Sequence, residues 1–121
     1  MESILLLKMQ FPEYEKNMAY NVRIMEKAER DLSEIVTYFT DKLCNPKAAE
    51  SLLEEFLEEK MNIADNPYMY PLSNDSVLQS EGYHRFLFKK NYIALYLIDD
   101  DENEVSIMRI FYAKRDYANL I

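Results

Sequence analysis

The side chains best suited to chemistry lie in the C-terminal third of the chain. His84 is the only imidazole in the sequence, and because histidine titrates near neutral pH it could act as a general acid or base. Its neighbour Arg85 and the more distal Arg115 carry guanidinium groups that can hold a phosphate through two hydrogen bonds. These residues predict acid–base chemistry or binding at a phosphate. The simpler alternative is that His84 packs at a strand edge and Arg115 ties down the tail.

Charge is divided unevenly between the two halves of the chain. The formal net charge of -8 argues against general nucleic-acid binding, because contacts to phosphate need clustered cations. The range 26–66 holds eleven acidic residues against five basic ones, whereas 82–98 holds three basic residues and no acid. The range 105–121 adds three basic residues against one acid. The sequence therefore predicts a small basic surface on an acidic protein.

The remaining polar and sulfur-bearing groups predict no cofactor and no metal site. Four glutamates between Glu54 and Glu59 fall on the solvent side of a predicted helix. Asp99–Glu102 lacks the glycine and the terminal glutamate of a calcium loop and predicts a hairpin turn instead. The single cysteine, Cys44, excludes an internal disulfide and suits a reducing cytoplasm. The aliphatic run Ile4–Leu7 is far below the roughly 20 residues that span a bilayer, so we predict no membrane segment.

Two amphipathic helices are predicted to support these groups. From 27 to 43, apolar residues recur at spacings of three and four, which is the period of one helix face. Asn45 and Pro46 then start a second helix, because asparagine caps helix N-termini and proline suits the first helical position. Its apolar stripe runs from 52 to 64 and stops at Asn66 and Pro67. Helices joined this closely predict an antiparallel hairpin.

Four strands are predicted around this hairpin. Tyr20–Met25 alternates apolar and polar residues, as a half-buried strand does. Aromatic and β-branched residues with short links predict a meander of three strands over Tyr83–Phe88, Tyr92–Ile98 and Val105–Tyr112. The range 68–81 has no sustained period and is predicted to be a loop. The predicted fold is α+β, in the order β-α-α-β-β-β, with the hairpin packed on one face of a small, mainly antiparallel sheet and the other face open.

The length of the chain fits one domain. We assign residues 18–121 to that domain, because a complete set of elements follows Met18, which could itself be a start. Residues 1–17 are interpreted as an N-terminal extension that is either an upstream start, a short ordered arm or a disordered segment.

Several segments resemble the RelE/ParE family of toxins from bacterial toxin–antitoxin pairs. The similar motifs are, in order, KAERDLSEIVTYF at 27–39, NPKAAESLLEEF at 45–56, GYHRFLFKKNYIALYLID at 82–99 and RIFYAKRDYANLI at 109–121. The last is the most specific, because in this family a hydrophobic strand runs into an arginine–aspartate pair and an aliphatic tail. The resemblance covers nearly the whole predicted domain and implies the RelE/ParE-like fold.

Membership would imply a cytoplasmic toxin that is neutralised by a cognate antitoxin. The free toxin would arrest growth either by cutting mRNA on the ribosome or by poisoning DNA gyrase. The antitoxin would be expected to cover the basic surface, by an added strand or by an amphipathic helix in a groove. A homodimer is also compatible with the sequence.

The resemblance places the working residues on the second and last of the four predicted strands and just beyond the last. For metal-free RNA cleavage it implies catalytic roles for His84, Arg85 and Arg115. It implies substrate-binding roles for Arg109, Tyr112, Lys114 and Tyr117. From the residues alone, Arg109 could instead form an ion pair with a helix acid such as Glu34 or Glu55.

The nuclease pattern is incomplete in this chain. RelE-type nucleases resemble one another in having a basic residue in the strand that here reads NYIALY, where Ile93 and Ala94 offer none. They also have a tyrosine near the C-terminus, where this chain has Leu120 and Ile121. Three hypotheses therefore remain: an mRNA endonuclease, a gyrase inhibitor, and an inactive protein of this fold that binds an antitoxin-like partner. The acidity of the chain slightly favours a protein target.

Overall fold

The predicted strands form one sheet in the computed structural model, which describes residues 20–120. The strands are β1 (Asn21–Ile24), β2 (His84–Phe88), β3 (Tyr92–Asp99) and β4 (Glu104–Tyr112). They lie in the order β1-β4-β3-β2; β1 runs parallel to β4, and the other neighbours are antiparallel. The predicted α+β fold is confirmed. The predicted extension, residues 1–17, and positions 18, 19 and 121 of the predicted domain lie outside the described residues.

The helical hairpin forms as predicted. Helix α1 (Glu26–Thr37) continues into a π-helical turn, Tyr38–Lys42, and α2 spans Pro46–Asp65. The Asn45 side chain accepts a hydrogen bond from the Ala48 N–H at 3.1 Å, which caps α2 at the predicted residue. Between the helices, Cys44 has a left-handed backbone (φ 48°) and an exposed side chain. This residue makes the sharp reversal that lets α2 return along the sheet.

The main core lies between the hairpin and one face of the sheet. Phe56 of α2 is fully buried, with its ring centroid 6.0 Å from that of Phe86 and 5.3 Å from that of Phe88. Tyr96 of β3 is also fully buried, and its hydroxyl donates to the Pro67 carbonyl at 2.7 Å. The large apolar area removed from water by these rings stabilises the docking of α2 on the sheet.

The second face of the sheet is covered in part, which corrects the prediction that it is open. Residues predicted to be a loop form a 3-10 turn, Pro67–Met69, and a short helix α3 (Ser76–Ser80). Leu78 of α3 is buried against Ile93, Leu95 and Phe111 on this face. A helix of five residues is too short to show a sequence period, and it depends on its cap, the Asp75 carboxylate accepting from the Leu78 N–H at 3.0 Å.

Within residues 20–120, no helix is both long enough and apolar enough to cross a bilayer. The same stretch of chain brings together no group of three or more histidine, cysteine or acidic side chains that could hold a metal ion.

Tyr70 gives the fold a specific sensitivity to alkali. Its partly buried hydroxyl donates to the Glu59 carboxylate. Burial, and then the negative charge and hydrogen bond of Glu59, raise the pKa of Tyr70 from 10.0 to about 12. A phenol whose pKa is higher in the folded chain stabilises the fold below pH 10 and loses that contribution as the pH rises through about 12.

We therefore expect urea unfolding to show a fall in stability between pH 10 and about 12, and Tyr70→Phe to reduce that fall. Absorbance at the phenolate band should show Glu59→Gln lowering the pKa of Tyr70 while leaving it above 10.0, since burial persists. If Tyr70→Phe and the native chain lose stability equally in alkali, this assignment is wrong.

Candidate functional site

His84 begins β2 on the face that carries the main core. Its ring stacks on that of Tyr96 (centroids 5.4 Å apart, planes at 23°) and meets the edge of the Tyr68 ring at 5.7 Å. Its Nδ1 lies 2.9 Å from the carbonyl oxygen of Tyr70. Because a carbonyl oxygen can only accept a hydrogen bond, Nδ1 carries the hydrogen in this contact. In a neutral imidazole, Nε2 is then the nitrogen with a free lone pair. The histidine is thus held by aromatic packing at one end of the sheet.

Arg85 points away from His84, to the second face. It lies opposite Leu95, which belongs to the smaller cluster on that face. Its backbone N–H donates to the Pro71 carbonyl at 3.1 Å. Its Nε is buried and finds no hydrogen-bond partner within the described part of the chain. His84 and Arg85, for which the resemblance implies a shared catalytic role, therefore lie on opposite faces of the sheet.

Arg115 lies far from both. Its backbone N–H donates to the Tyr112 carbonyl at 3.0 Å, and Tyr112 pairs with Tyr92, whereas His84 pairs with Tyr96. Tyr92 and Tyr96 are four positions apart on β3, which corresponds to roughly 13 Å along the strand. A general acid and a cation that act on one phosphodiester must both reach it within hydrogen-bond distance. The fold does not bring His84, Arg85 and Arg115 together in that way.

Arg109 forms the ion pair that holds α1 to the sheet. Its Nε and Nη2 donate to the two carboxylate oxygens of Asp31, at 2.7 and 3.1 Å, and the Asp31 carboxylate also accepts from the Ile110 N–H at 2.9 Å. The hydrogen bond with Asp31 raises the pKa of Arg109. The guanidinium carbon lies 4.4 Å from the centroid of the Phe111 ring. The helix-acid alternative holds for this residue, with Asp31 as the acid rather than Glu34 or Glu55.

The other predicted binding residues occupy separate positions. Tyr112 is exposed at the end of β4, with its ring edge against Tyr92. Tyr117 stacks on Phe111 (5.9 Å, planes at 15°) and covers part of the second face. Lys114 is exposed beyond the strand. All the predicted site residues lie within the described part of the chain. Among them, only Arg109, Tyr112 and Arg115 line one common cavity.

That cavity is a groove between α1 and the outer edge of β4, with a volume of about 860 Å³. We call it the α1–β4 groove and define it by its lining residues, which are Lys27, Arg30, Asp31, Glu34, Ile35, Tyr38, Tyr92, Arg109, Ile110, Phe111, Tyr112, Arg115 and Leu120. Tyr38, Tyr112 and Leu120 are each more than two fifths exposed, so its walls present apolar surface to solvent. Concave surfaces with exposed aromatic and aliphatic groups are typical of sites for protein segments.

The groove is also locally basic. Lys27, Arg30, Arg109 and Arg115 line it against two acids, Asp31 and Glu34. Asp31 is occupied by Arg109, and Arg30 pairs with Glu26 outside the groove at 2.6 Å. Between residues 20 and 120, no acid pairs with Lys27 or Arg115. Two cations and one acid, Glu34, are therefore left without an ion pair in this groove, which gives it a small positive balance on a chain of net charge -8.

The sequence did not point to the α1 side of this groove. Lys27, Asp31 and Glu34 follow one another at helical spacing on α1, and Tyr38 continues the spacing at the start of the π-helical turn. The sequence shows that spacing, but a polar stripe on an amphipathic helix is normally its solvated face, so it does not predict a site. What distinguishes it is the partner across the groove, which depends on where β4 and the tail run.

A family model for the ParE toxin of the type II toxin–antitoxin system, parDE, matches residues 22–117. The match includes all three α-helices and every described strand except the first residue of β1, Asn21. Comparison with curated proteins gives no sequence match.

Solved structures show the same fold at low sequence identity. A chain of the chromosomal ParDE system of P. aeruginosa is 16% identical, covers 79% of this chain and 98% of its own, and superposes with a TM-score of 0.64. A chain of the RelBE2 toxin–antitoxin complex of Mycobacterium tuberculosis is 21% identical (78% and 98% covered, TM-score 0.53). One from the archaeal RelE–RelB complex of Pyrococcus horikoshii OT3 is 15% identical (81% and 99%, TM-score 0.52). With the family match over most of its length, the chain belongs to the ParE toxin family of type II toxin–antitoxin systems.

Proposed function

We propose that this toxin arrests growth by binding DNA gyrase in the cytoplasm, and that a cognate antitoxin neutralises it by binding its surface. The observation that carries the proposal is the separation of His84, Arg85 and Arg115, which lie on different faces and at different ends of the sheet. A toxin that acts by binding needs no such constellation. The family match to ParE and the acidity of the chain support the same target class.

The antitoxin part of the proposal rests on the relatives and on the groove. The similar structures are described as toxin–antitoxin systems or complexes. The α1–β4 groove supplies an apolar, locally basic surface of the kind that a protein segment would cover. Covering it would mask both the aromatic groups and the unpaired cations.

The test compares the two targets with one preparation of protein. Supercoiling by purified gyrase should be inhibited as the toxin is added, and transcripts in a translating extract should stay intact. If gyrase still supercoils DNA in the presence of the toxin and the transcripts are cleaved, the gyrase proposal is wrong and the toxin acts by mRNA cleavage. Healthy growth on induction without antitoxin would replace it with the inactive binding protein.

Substitutions at His84 sharpen this test. His84→Gln keeps an N–H that can donate to the Tyr70 carbonyl but removes the imidazole. Loss of a general acid or base slows catalysis by about a hundredfold or more. We expect growth arrest by His84→Gln, and by Arg85→Gln as its matched partner on the other face, to stay within about twofold of the native toxin. If a variant is folded and expressed at the normal level but its growth arrest is weakened a hundredfold, the binding mechanism is contradicted.

A further inference from the structure

The link between β2 and β3, residues 89–91, has a strained backbone. We call it the β2–β3 turn. Lys89 and Lys90 both adopt the left-handed conformation, with φ angles of 50° and 65°. Glycine and asparagine are the usual residues at such positions, because most side chains crowd the backbone there. Strained residues persist only where the surrounding structure fixes them, and they cluster at functional sites. A binding role would account for two lysines in this turn.

Contacts on both sides hold the β2–β3 turn in place. The Lys89 N–H donates to the Glu55 carboxylate of α2 at 3.0 Å, and the Lys89 ammonium group donates to the Ser51 hydroxyl at 2.8 Å. On the other side, the Asn91 carbonyl accepts from the Ala113 N–H at 2.7 Å, which extends the pairing of β3 with β4 by one residue. The turn is therefore fixed to the second helix and to the end of the last strand.

This arrangement places cations from two parts of the chain at one end of the sheet. Lys90 and Lys114 are the residues next to the bonded pair Asn91 and Ala113, and both are exposed. Arg115, also exposed, follows directly. None of these three cations forms an ion pair with another residue of the described range 20–120. The fold thus gathers like charges that repel one another, as a surface for an anion requires.

The acids beside this cluster do not neutralise it. Glu55 is engaged by Lys89, and Asp116 accepts from the Asn119 side chain at 2.7 Å. Setting these two acids against the four cations Lys89, Lys90, Lys114 and Arg115 leaves a balance of +2. The turn at the opposite end of β3 carries four acids in a row, Asp99, Asp100, Asp101 and Glu102. Charge is therefore polarised along the strands, with the positive end at the β2–β3 turn.

We propose that Lys90 and Lys114 bind backbone phosphates of the DNA that gyrase holds, so that the toxin contacts both the enzyme and its DNA. This inference rests on the proposed gyrase target. Lysine is a compact point charge, which suits contacts to phosphate that release counterions without reading bases. So small a cluster gives an acidic chain little affinity for free DNA. Beside DNA that gyrase already holds, the same contacts act at high effective concentration.

Binding to gyrase with and without DNA tests the proposal. Lys90→Asn combined with Lys114→Gln should weaken association with the gyrase–DNA complex by about tenfold or more, and association with gyrase alone by less than about twofold. The slope of log affinity against log salt for the gyrase–DNA complex should fall by roughly 0.9 for each phosphate contact removed. Equal weakening towards gyrase alone would mean that the lysines face an acidic protein surface, and no weakening towards either would also overturn the proposal.

Two controls separate lost contacts from lost structure. Asparagine tolerates the left-handed backbone better than lysine, so Lys90→Asn should unfold at the native temperature or above it. Arg23→Gln removes an exposed cation near the acidic end of the sheet and should leave association with the gyrase–DNA complex within about twofold. An equal loss with Arg23→Gln would show a general charge effect and overturn the specific contact.

A titration without gyrase distinguishes this inference from the gyrase proposal. Isotope-labelled toxin mixed with a short DNA duplex at low salt should show its largest amide shifts at Lys90, Asn91 and Lys114. These shifts in a toxin that fails to bind gyrase would keep the phosphate-binding surface and reject the target. Gyrase inhibition by a toxin whose turn amides do not respond to millimolar duplex, and whose lysine variants inhibit equally well, would keep the target and reject the surface.

Discussion

Replacing Asp31 with alanine is expected to lower the free energy of unfolding by about 3 kcal/mol. The side chains of Asp31 and Arg109 are 14% and 19% exposed, so the substitution leaves a largely buried guanidinium without its carboxylate. It also removes the acceptor of the Ile110 N–H at the sheet edge. Urea unfolding followed by far-UV circular dichroism measures the loss, since the chain has no tryptophan.

Glu34→Ala is the matched control for this prediction. It removes a carboxylate one turn further along α1 that forms no ion pair with another described residue, and it should cost about 0.5 kcal/mol or less. The Asp31 effect should persist in 1 M salt, because a partly buried bidentate pair is poorly screened, unlike the exposed pair of Arg30 with Glu26. Equal losses from Asp31→Ala and Glu34→Ala would show that the ion pair does not stabilise the fold.

Phe56→Ala should be the most damaging core substitution, lowering the free energy of unfolding by about 4 kcal/mol. The Phe56 ring is fully buried and contacts two rings of β2, so its removal leaves a cavity between α2 and the sheet. A loss of this size is a large fraction of the stability of a small domain. Toxicity and antitoxin binding should then fall together, because both depend on the folded surface.

Leu43→Ala supplies the comparison for Phe56→Ala. Leu43 is 49% exposed at the end of the first helical segment, and its truncation should change stability by about 0.5 kcal/mol or less. A Phe56→Ala chain that keeps its native urea midpoint would mean that α2 is held to the sheet by other contacts.

The sequence was sufficient for the elements with a clear period or cap. The apolar stripes of α1 and α2 and the Asn45 cap are local signals, and the structure confirms them. Helix α3 was not predicted, because five residues cannot establish a helical period. Its stability comes from burying Leu78 on the second face. The parallel pairing of β1 with β4 joins residues more than eighty positions apart, and no local signal specifies such a contact.

The candidate site was harder to predict than the fold. The opposed directions of His84 and Arg85 could have been foreseen, because adjacent strand residues face opposite sides of a sheet. The partner of Arg109 could not, since Asp31 and Glu34 differ by about one helical turn and only the docking of α1 decides between them. The α1–β4 groove depends on β1 ending at Ile24 and on the path of the residues after Tyr112, which are tertiary properties.

The reversal between α1 and α2 also provides a convenient spectroscopic handle. Cys44 is the only thiol of the chain and is exposed, so a maleimide dye would attach at one known place without further substitution. Cys44 does not line the α1–β4 groove, so a label there would leave the proposed contact surface chemically unchanged. Fluorescence anisotropy of such a conjugate would report association with gyrase or antitoxin in the same tube.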